Sequence, residues 1–138
     1  MKKVLIVLFM LFFSFSVYAE GTLTVGLWVV VEDETFRTRV QNELTTRLEN
    51  SVEWSFEVRE SDWNTNIHLI VSGMRVYNTN SYAWGITYTP IGFPSYTNGI
   101  VAVTEANISG MNWIARSISQ YVEEQLFFLM DEITRQNI

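Results

Sequence analysis

The chain has 138 residues, with no cysteine, a single histidine, and nine lysines and arginines against fifteen acidic residues. Both lysines belong to the extreme amino terminus, so from residue 20 onward the chain carries seven arginines, fifteen acids and a formal charge of −8. This charge disfavours nucleic acid and anionic membrane surfaces as partners.

The missing residue types also exclude classes of catalysis. Without lysine or cysteine after the amino terminus there is no Schiff base, phosphate-loop lysine or thiolate chemistry. One histidine, His68, cannot form a His-rich zinc site. Carboxylate chemistry remains, as an acid pair or an oxygen-ligand Ca²⁺ site, and we expect no metal and no cofactor.

Residues 1–19 predict an export signal that is cleaved between Ala19 and Glu20. Lys2 and Lys3 precede an uncharged run over residues 4–18, and small residues stand before the cleavage position. That run gives only about 22 Å of helix against a hydrocarbon core of about 30 Å, which favours cleavage over a retained anchor. We therefore expect a periplasmic or secreted protein of one domain, residues 20–138, without membrane contact after cleavage.

The first part of this domain predicts a strand, a helix and a second strand. Residues 22–31 are rich in β-branched residues and uncharged, with apolar side chains on both faces, which indicates a central strand covered on both sides. Asp33 is a candidate cap for a helix over residues 34–49, and we favour this interpretation of the local acidic cluster over a cation site. Residues 52–59 alternate apolar and polar, as a half-buried strand does.

A hairpin is predicted next. Residues 67–77 form a strand in which Gly73 marks a bulge or a close backbone approach. His68 lies in this strand and is expected to be a packed, hydrogen-bonded histidine. A turn at residues 78–81 leads into an antiparallel strand over residues 82–89.

The segment 90–99 contains both prolines of the chain and is predicted to be a loop. Its aromatic residues could anchor a partner or fold over the edge of the sheet. The candidate partner-binding residues are Phe93 and Tyr96 in this loop, with the neighbouring Tyr82, Trp84 and Trp63.

A short strand over residues 100–104 precedes the longest predicted helix, residues 109–136, whose apolar stripe is broad enough to lie across a sheet. Its excess apolar residues near the end would also suit a homodimer contact. The fold class expected is α+β, a two-layer sandwich with a four- or five-stranded, mostly antiparallel sheet. Both helices pack on one face, and the opposite face is expected to be polar.

The order of these elements resembles the envelope α/β domains typified by the TolB amino-terminal domain and the curli secretion lipoproteins. Residues 66–73 are similar to the strand that reads "D-ϕ-x-ϕ-x-G" in those domains, with Asn66 in place of the acid and no lipidated cysteine in the chain. Residues 33–36 and 81–85 also resemble the "D-E-x-F" and "G-Y-A-x-S" patterns of small exported bacterial proteins. The resemblance implies a fold and an envelope location, and it carries no catalytic or ligand residues.

Two functions follow as hypotheses. The leading one is an exported, non-catalytic interaction module that binds an envelope protein or another envelope component through the aromatic candidates. The alternative is a small carboxylate-based hydrolase or a carbohydrate-binding protein that uses the same aromatics to stack on sugars.

Overall fold

A computed structural model describes residues 21–91, 97–98 and 102–136. The elements in chain order are β1 (Leu23–Val31), α1 (Glu34–Glu49), β2 (Phe56–Glu60), β3 (Ile67–Arg75), β4 (Ser81–Pro90), β5 (Thr97–Asn98), β6 (Ala102–Glu105) and α2 (Ile108–Gln136). The predicted cleavage site between Ala19 and Glu20 lies outside the described residues.

The strands form one mixed sheet in the order β2-β1-β3-β4, and both β5 and β6 pair with β4. β1 lies between β2 and β3 and is parallel to both. β4 is antiparallel to β3, β5 and β6. The predicted α+β, two-layer architecture is confirmed.

Helix α1 begins and ends where the sequence pattern places it. The Asp33 carboxylate accepts a hydrogen bond from the Phe36 backbone N–H at 3.1 Å, which satisfies one of the free N–H groups of the first turn. Asn50 closes the other end by donating from its own backbone N–H to the Thr46 carbonyl. The acidic cluster therefore starts a helix, as the sequence favoured.

Both helices pack on the same side of the sheet. In β1, β3 and β4, alternate side chains point to this side and are buried with the inner faces of the helices. The largest fully buried side chains are Trp84, Tyr82, Leu23, Leu27, Leu44, Leu48, Ile67, Leu69, Met111, Ile114, Ile118 and Leu126. The other side of the sheet has no helix against it within the described part of the chain.

The connection from β2 to β3 must cross β1, because β1 lies between these two parallel strands. Residues 61–66, the crossover loop, make this crossing on the side without helices. The loop lies directly on Gly26, where an added Cβ would overlap the Asp62 carbonyl oxygen and come within 2.6 Å of the Thr65 hydroxyl. Glycine is needed here because the loop backbone occupies the space of a side chain.

Buried hydrogen bonds hold the end of the crossover loop to β1. The Asn66 side-chain oxygen accepts from the Thr24 N–H at 2.8 Å, and the Asn66 N–H donates to the Thr24 carbonyl at 3.0 Å. The Asn66 carbonyl also accepts from the Ile91 N–H. The position at which the resembling domains carry an acid therefore has a structural role in this chain.

Three local predictions are wrong. Residues 52–55 are not strand: β2 begins at Phe56, which pairs with Leu23 where β1 itself begins, and Val52 is 99% exposed. β1 is not covered on both sides, because the crossover loop reaches only its first half and Val30 is 59% exposed. The face opposite the helices is polar only in part, as described next.

Candidate functional site

The side of the sheet that faces away from the helices, here called the open face, has no Asp, Glu, Lys or Arg on β1, β3 and β4, and its charged residues lie on the outer strands β2 and β6. Alternation along β1, β3, β4 and β6 places the same side of each strand there, and the pairing registers align these residues in rows. Its central residues are Trp28, Val30, His68, Ile70, Ser72, Met74, Ala83, Gly85, Thr87, Thr89 and Val103, and its charged residues are Glu57, Arg59 and Glu105.

The open face exposes apolar side chains that a solvated sheet normally replaces with polar ones. Val30, Met74 and Val103 are 59%, 74% and 63% exposed. Between them, Ser72 and Gly85 pair across β3 and β4, and a Cβ added to Gly85 would have no atom within 4 Å. The result is a shallow, accessible floor with an apolar rim.

An aromatic cluster of Trp28, Trp63 and His68 borders this floor. The rings of Trp28 and Trp63 lie 4.0 Å apart between centroids with 37° between their planes. His68 presents an edge to both, at 5.5 Å from Trp28 and 5.0 Å from Trp63. Trp63 is the outermost ring of the cluster and is 61% exposed.

The cluster is fixed by the crossover loop as well as by ring packing. His68 Nε2–H donates to the Trp63 backbone carbonyl oxygen at 2.9 Å. Asp62, the residue before Trp63, accepts from the Asn64 N–H and pairs with the Arg59 guanidinium at 3.7 Å. The hydrogen-bonded histidine expected from the sequence is thus observed, on the open face beside two tryptophans.

The structure places the predicted partner-binding residues in different environments. Trp63 is exposed, but the prediction that Tyr82 and Trp84 contact a partner is wrong, since these side chains are 0% and 1% exposed. Both occupy the helix side of β4. Phe93 and Tyr96 lie outside the described residues, so the loop hypothesis stays a prediction.

The burial of Trp84 explains Gly73. The two residues pair across β3 and β4, and the Trp84 ring would lie 2.5 Å from a Cβ at Gly73. Trp84 Nε1–H also donates to the Thr104 hydroxyl at 2.9 Å. The close approach predicted at this glycine is therefore made by a side chain, and the ladder of β3 continues past it.

Sequence reasoning missed Trp28, Val30 and Met74 as surface residues. Alternation shows that Trp28 and Val30 share one face of β1, but it does not show which face the helices cover. That choice depends on register and on packing between distant segments.

A cleft of about 450 Å³ lies between α1 and α2, with Glu43, Arg47, Arg116 and Glu123 among its lining residues. Glu43 pairs with Arg47 at 3.3 Å. The cleft is therefore a surface of mixed charge, with one carboxylate already engaged by a guanidinium. Among the described residues, no three His, Asp or Glu side chains are grouped closely enough to hold a metal ion.

Tyr88 is a buried titratable group on the helix side of the sheet. Its ring meets Tyr121 edge-on at 6.3 Å, and its hydroxyl has no hydrogen-bond partner within the described portion of the chain. Burial, followed by the nearby Tyr121, raises the pKa of the Tyr88 phenol well above its usual value. Tyr88 is thus part of the core and stays neutral at physiological pH.

No helix in the described ranges has both the length and the apolar character needed to cross a membrane. No protein-family model matches the chain, and no curated protein matches it. Among solved structures, the chain is similar to a PelC dodecamer from Paraburkholderia phytofirmans, at 15% identity over 72% of this chain and 82% of that one, with a TM-score of 0.38.

Proposed function

We propose that this protein is an exported, non-catalytic binding module that recognises an envelope or secreted component through its open face and aromatic cluster. Export rests on residues 1–19, whose charged start and uncharged run are typical of a cleaved signal. The composition after residue 19 leaves few catalytic residue types, and the open face offers a surface for binding.

The observation that carries the proposal is the exposed apolar rim of the open face. Monomeric proteins rarely expose contiguous apolar surface of more than a few hundred Å² unless it contacts a partner. Here Met74 is 74% exposed and Trp63 is 61% exposed, on a sheet whose other side is fully packed. Single exposed residues need no explanation, but exposed apolar residues on three strands of one face, Val30, Met74 and Val103, favour an interaction surface.

Photo-crosslinking in the native host tests this proposal. A benzophenone amino acid replaces Met74 on the open face or, as the matched control, Asn42, an exposed residue of α1. Benzophenone inserts into C–H bonds of proteins and glycans alike, so the adduct does not presuppose the partner's class. We expect an adduct at Met74 and none at Asn42, and the absence of an adduct at Met74 would overturn the proposal.

We also propose that the carboxyl end of α2 contacts a second copy of the chain. Phe127 and Phe128 are 50% and 64% exposed, and Phe127 meets the ring of Trp54 at 5.6 Å. Replacing both phenylalanines with serine should convert a dimer to a monomer in sedimentation velocity. A wild-type protein that sediments as a monomer at high concentration would contradict this contact.

The relation to the TolB and curli-secretion envelope domains remains a proposal. It is supported by the order strand, helix, strand and hairpin, and by the placement of Asn66 and Gly73 at the two ends of the similar segment. Both residues have defined packing roles, at the crossover loop and under the Trp84 ring. A shared envelope location would follow from this relation.

A further inference from the structure

The Trp63 side chain is held in place although most of it is exposed. One side of its ring lies over Trp28, and His68 meets its edge. Its backbone carbonyl accepts the bond from His68 Nε2–H, and the loop that carries it is held to β1 through Asn66. A ring fixed in this way loses little conformational entropy when it binds a ligand.

The charged side chains next to Trp63, Asp62 and Arg59, are paired with each other, and the adjoining part of β3 and β4 mixes hydroxyl with apolar groups. Thr87 and Thr89 lie on the open face beside Ile70 and His68, their partners in the β3–β4 ladder. Arg59 lies on the same row as His68 and Thr89, where it is paired with Glu57 and Asp62, and the chain from residue 20 onward has a formal charge of −8. The floor therefore matches a neutral ligand with hydroxyl groups and apolar faces, and an anionic polymer would be repelled.

A second copy of the chain fits this surface poorly. Four strands spaced about 4.8 Å apart, with rows covering roughly 20 Å, give on the order of 400 Å² per copy. A standard protein–protein interface buries about 800 Å² per partner.

We infer that Trp63 is the stacking subsite for a neutral, β-1,4-linked glycan, because the flat, extended chain of such a glycan fits a shallow sheet surface; this inference rests on the proposed binding function. The apolar C–H face of a pyranose ring stacks on the free side of the indole, and the threonine hydroxyls bond to sugar hydroxyls. Trp28 supports the stacking ring from below. No charged group is required, which agrees with the composition of the floor.

The test measures binding of cellohexaose and chitohexaose to the chain that starts at Glu20, by calorimetry and tryptophan fluorescence. We expect at least one to bind and Trp63→Ala to weaken that binding tenfold or more, while Trp63→Tyr, which keeps an aromatic face, weakens it much less. Trp113→Ala is the matched control, because it removes another exposed tryptophan ring, 43% exposed, from α2 on the other side of the sheet. Its affinity should be unchanged.

Met74→Glu places a charge at the far end of the floor and should also weaken binding, without removing any ring. Absence of binding to both oligosaccharides, or equal affinity in wild type and Trp63→Ala, would overturn the inference. If the crosslinker at Met74 still forms an adduct with a protein, the proposed binding function is supported and only the inference of a glycan ligand is refuted. If both experiments fail, the proposed function fails as well.

Discussion

The packing of the crossover loop on Gly26 predicts that a side chain at this position lowers the stability of the domain. Alanine at this position would place its Cβ against the Asp62 carbonyl oxygen and 2.6 Å from the Thr65 hydroxyl. The Asp62 oxygen belongs to the backbone, so the loop must move as a unit. Among the described glycines, Gly21 has a positive φ and Gly26 does not. The Gly26 backbone therefore accommodates alanine, and the whole effect comes from the contact with the loop.

The magnitude follows from two opposing terms. Overpacking by an added methyl group costs about 1–3 kcal/mol. Replacing glycine by alanine reduces the conformational entropy of the unfolded chain, which stabilises the folded state by about 0.4–1 kcal/mol. We therefore expect Gly26→Ala to lower the free energy of unfolding by about 1–2 kcal/mol, which for a domain of this size lowers Tm by roughly 3–8 °C.

The assay is thermal unfolding followed by far-UV and near-UV circular dichroism, with Gly85→Ala as the matched control. Gly85 lies on the same face of the same sheet, but its added Cβ would meet nothing within 4 Å. Its Tm should be unchanged or slightly raised. Lifting the loop should also reduce the near-UV signal of the stacked Trp28 and Trp63 rings. Equal Tm values for the two variants would refute the placement of the loop on β1.

Three further predictions concern other parts of the chain. Asn66→Ala leaves the buried Thr24 N–H without its acceptor and should cost about 1–3 kcal/mol in urea unfolding, where an unchanged midpoint would contradict the assigned bond. The raised pKa of Tyr88 means that the unfolded state releases this proton first, so stability should fall above about pH 10. Tyr88→Phe should reduce that fall in alkaline melts, and a wild-type pH profile in this variant would count against it. Mass spectrometry from the native host should find Glu20 as the first residue, and since the chain has no lysine beyond that point, amine-reactive labels should attach at its amino terminus alone; an intact Met1 would show that no cleavage occurs.

The helices and most strands could be predicted because their signals are local. Asp33 caps α1 through its own neighbours, and the apolar stripe of α2 repeats within a single segment. The prediction that residues 52–55 are strand is wrong because strand pairing is not a local signal. Those residues alternate like a strand, but β1 begins only at Leu23 and offers them no ladder partner, since pairing depends on a distant segment.

The candidate site was only partly predictable for the same reason. The sequence indicates Trp63 as a surface candidate correctly, but Tyr82 and Trp84, which it also indicates, lie in the core. Period-two alternation divides a strand into two faces without saying which one faces the helices. The partners of Trp63, namely Trp28 and His68, come from two other strands and meet it only because the loop crosses β1.

The sequence by itself determined the predicted export signal, the charge, the absence of cysteine and the local elements with their caps and turns. These properties depend on composition or on residues within one or two turns of each other. Only the tertiary structure decided the strand order, the placement of the crossover loop over Gly26 and the exposure of an apolar sheet face. These features arise from contacts between segments far apart in the chain, where register and layer packing, rather than local preference, set which side chains are buried.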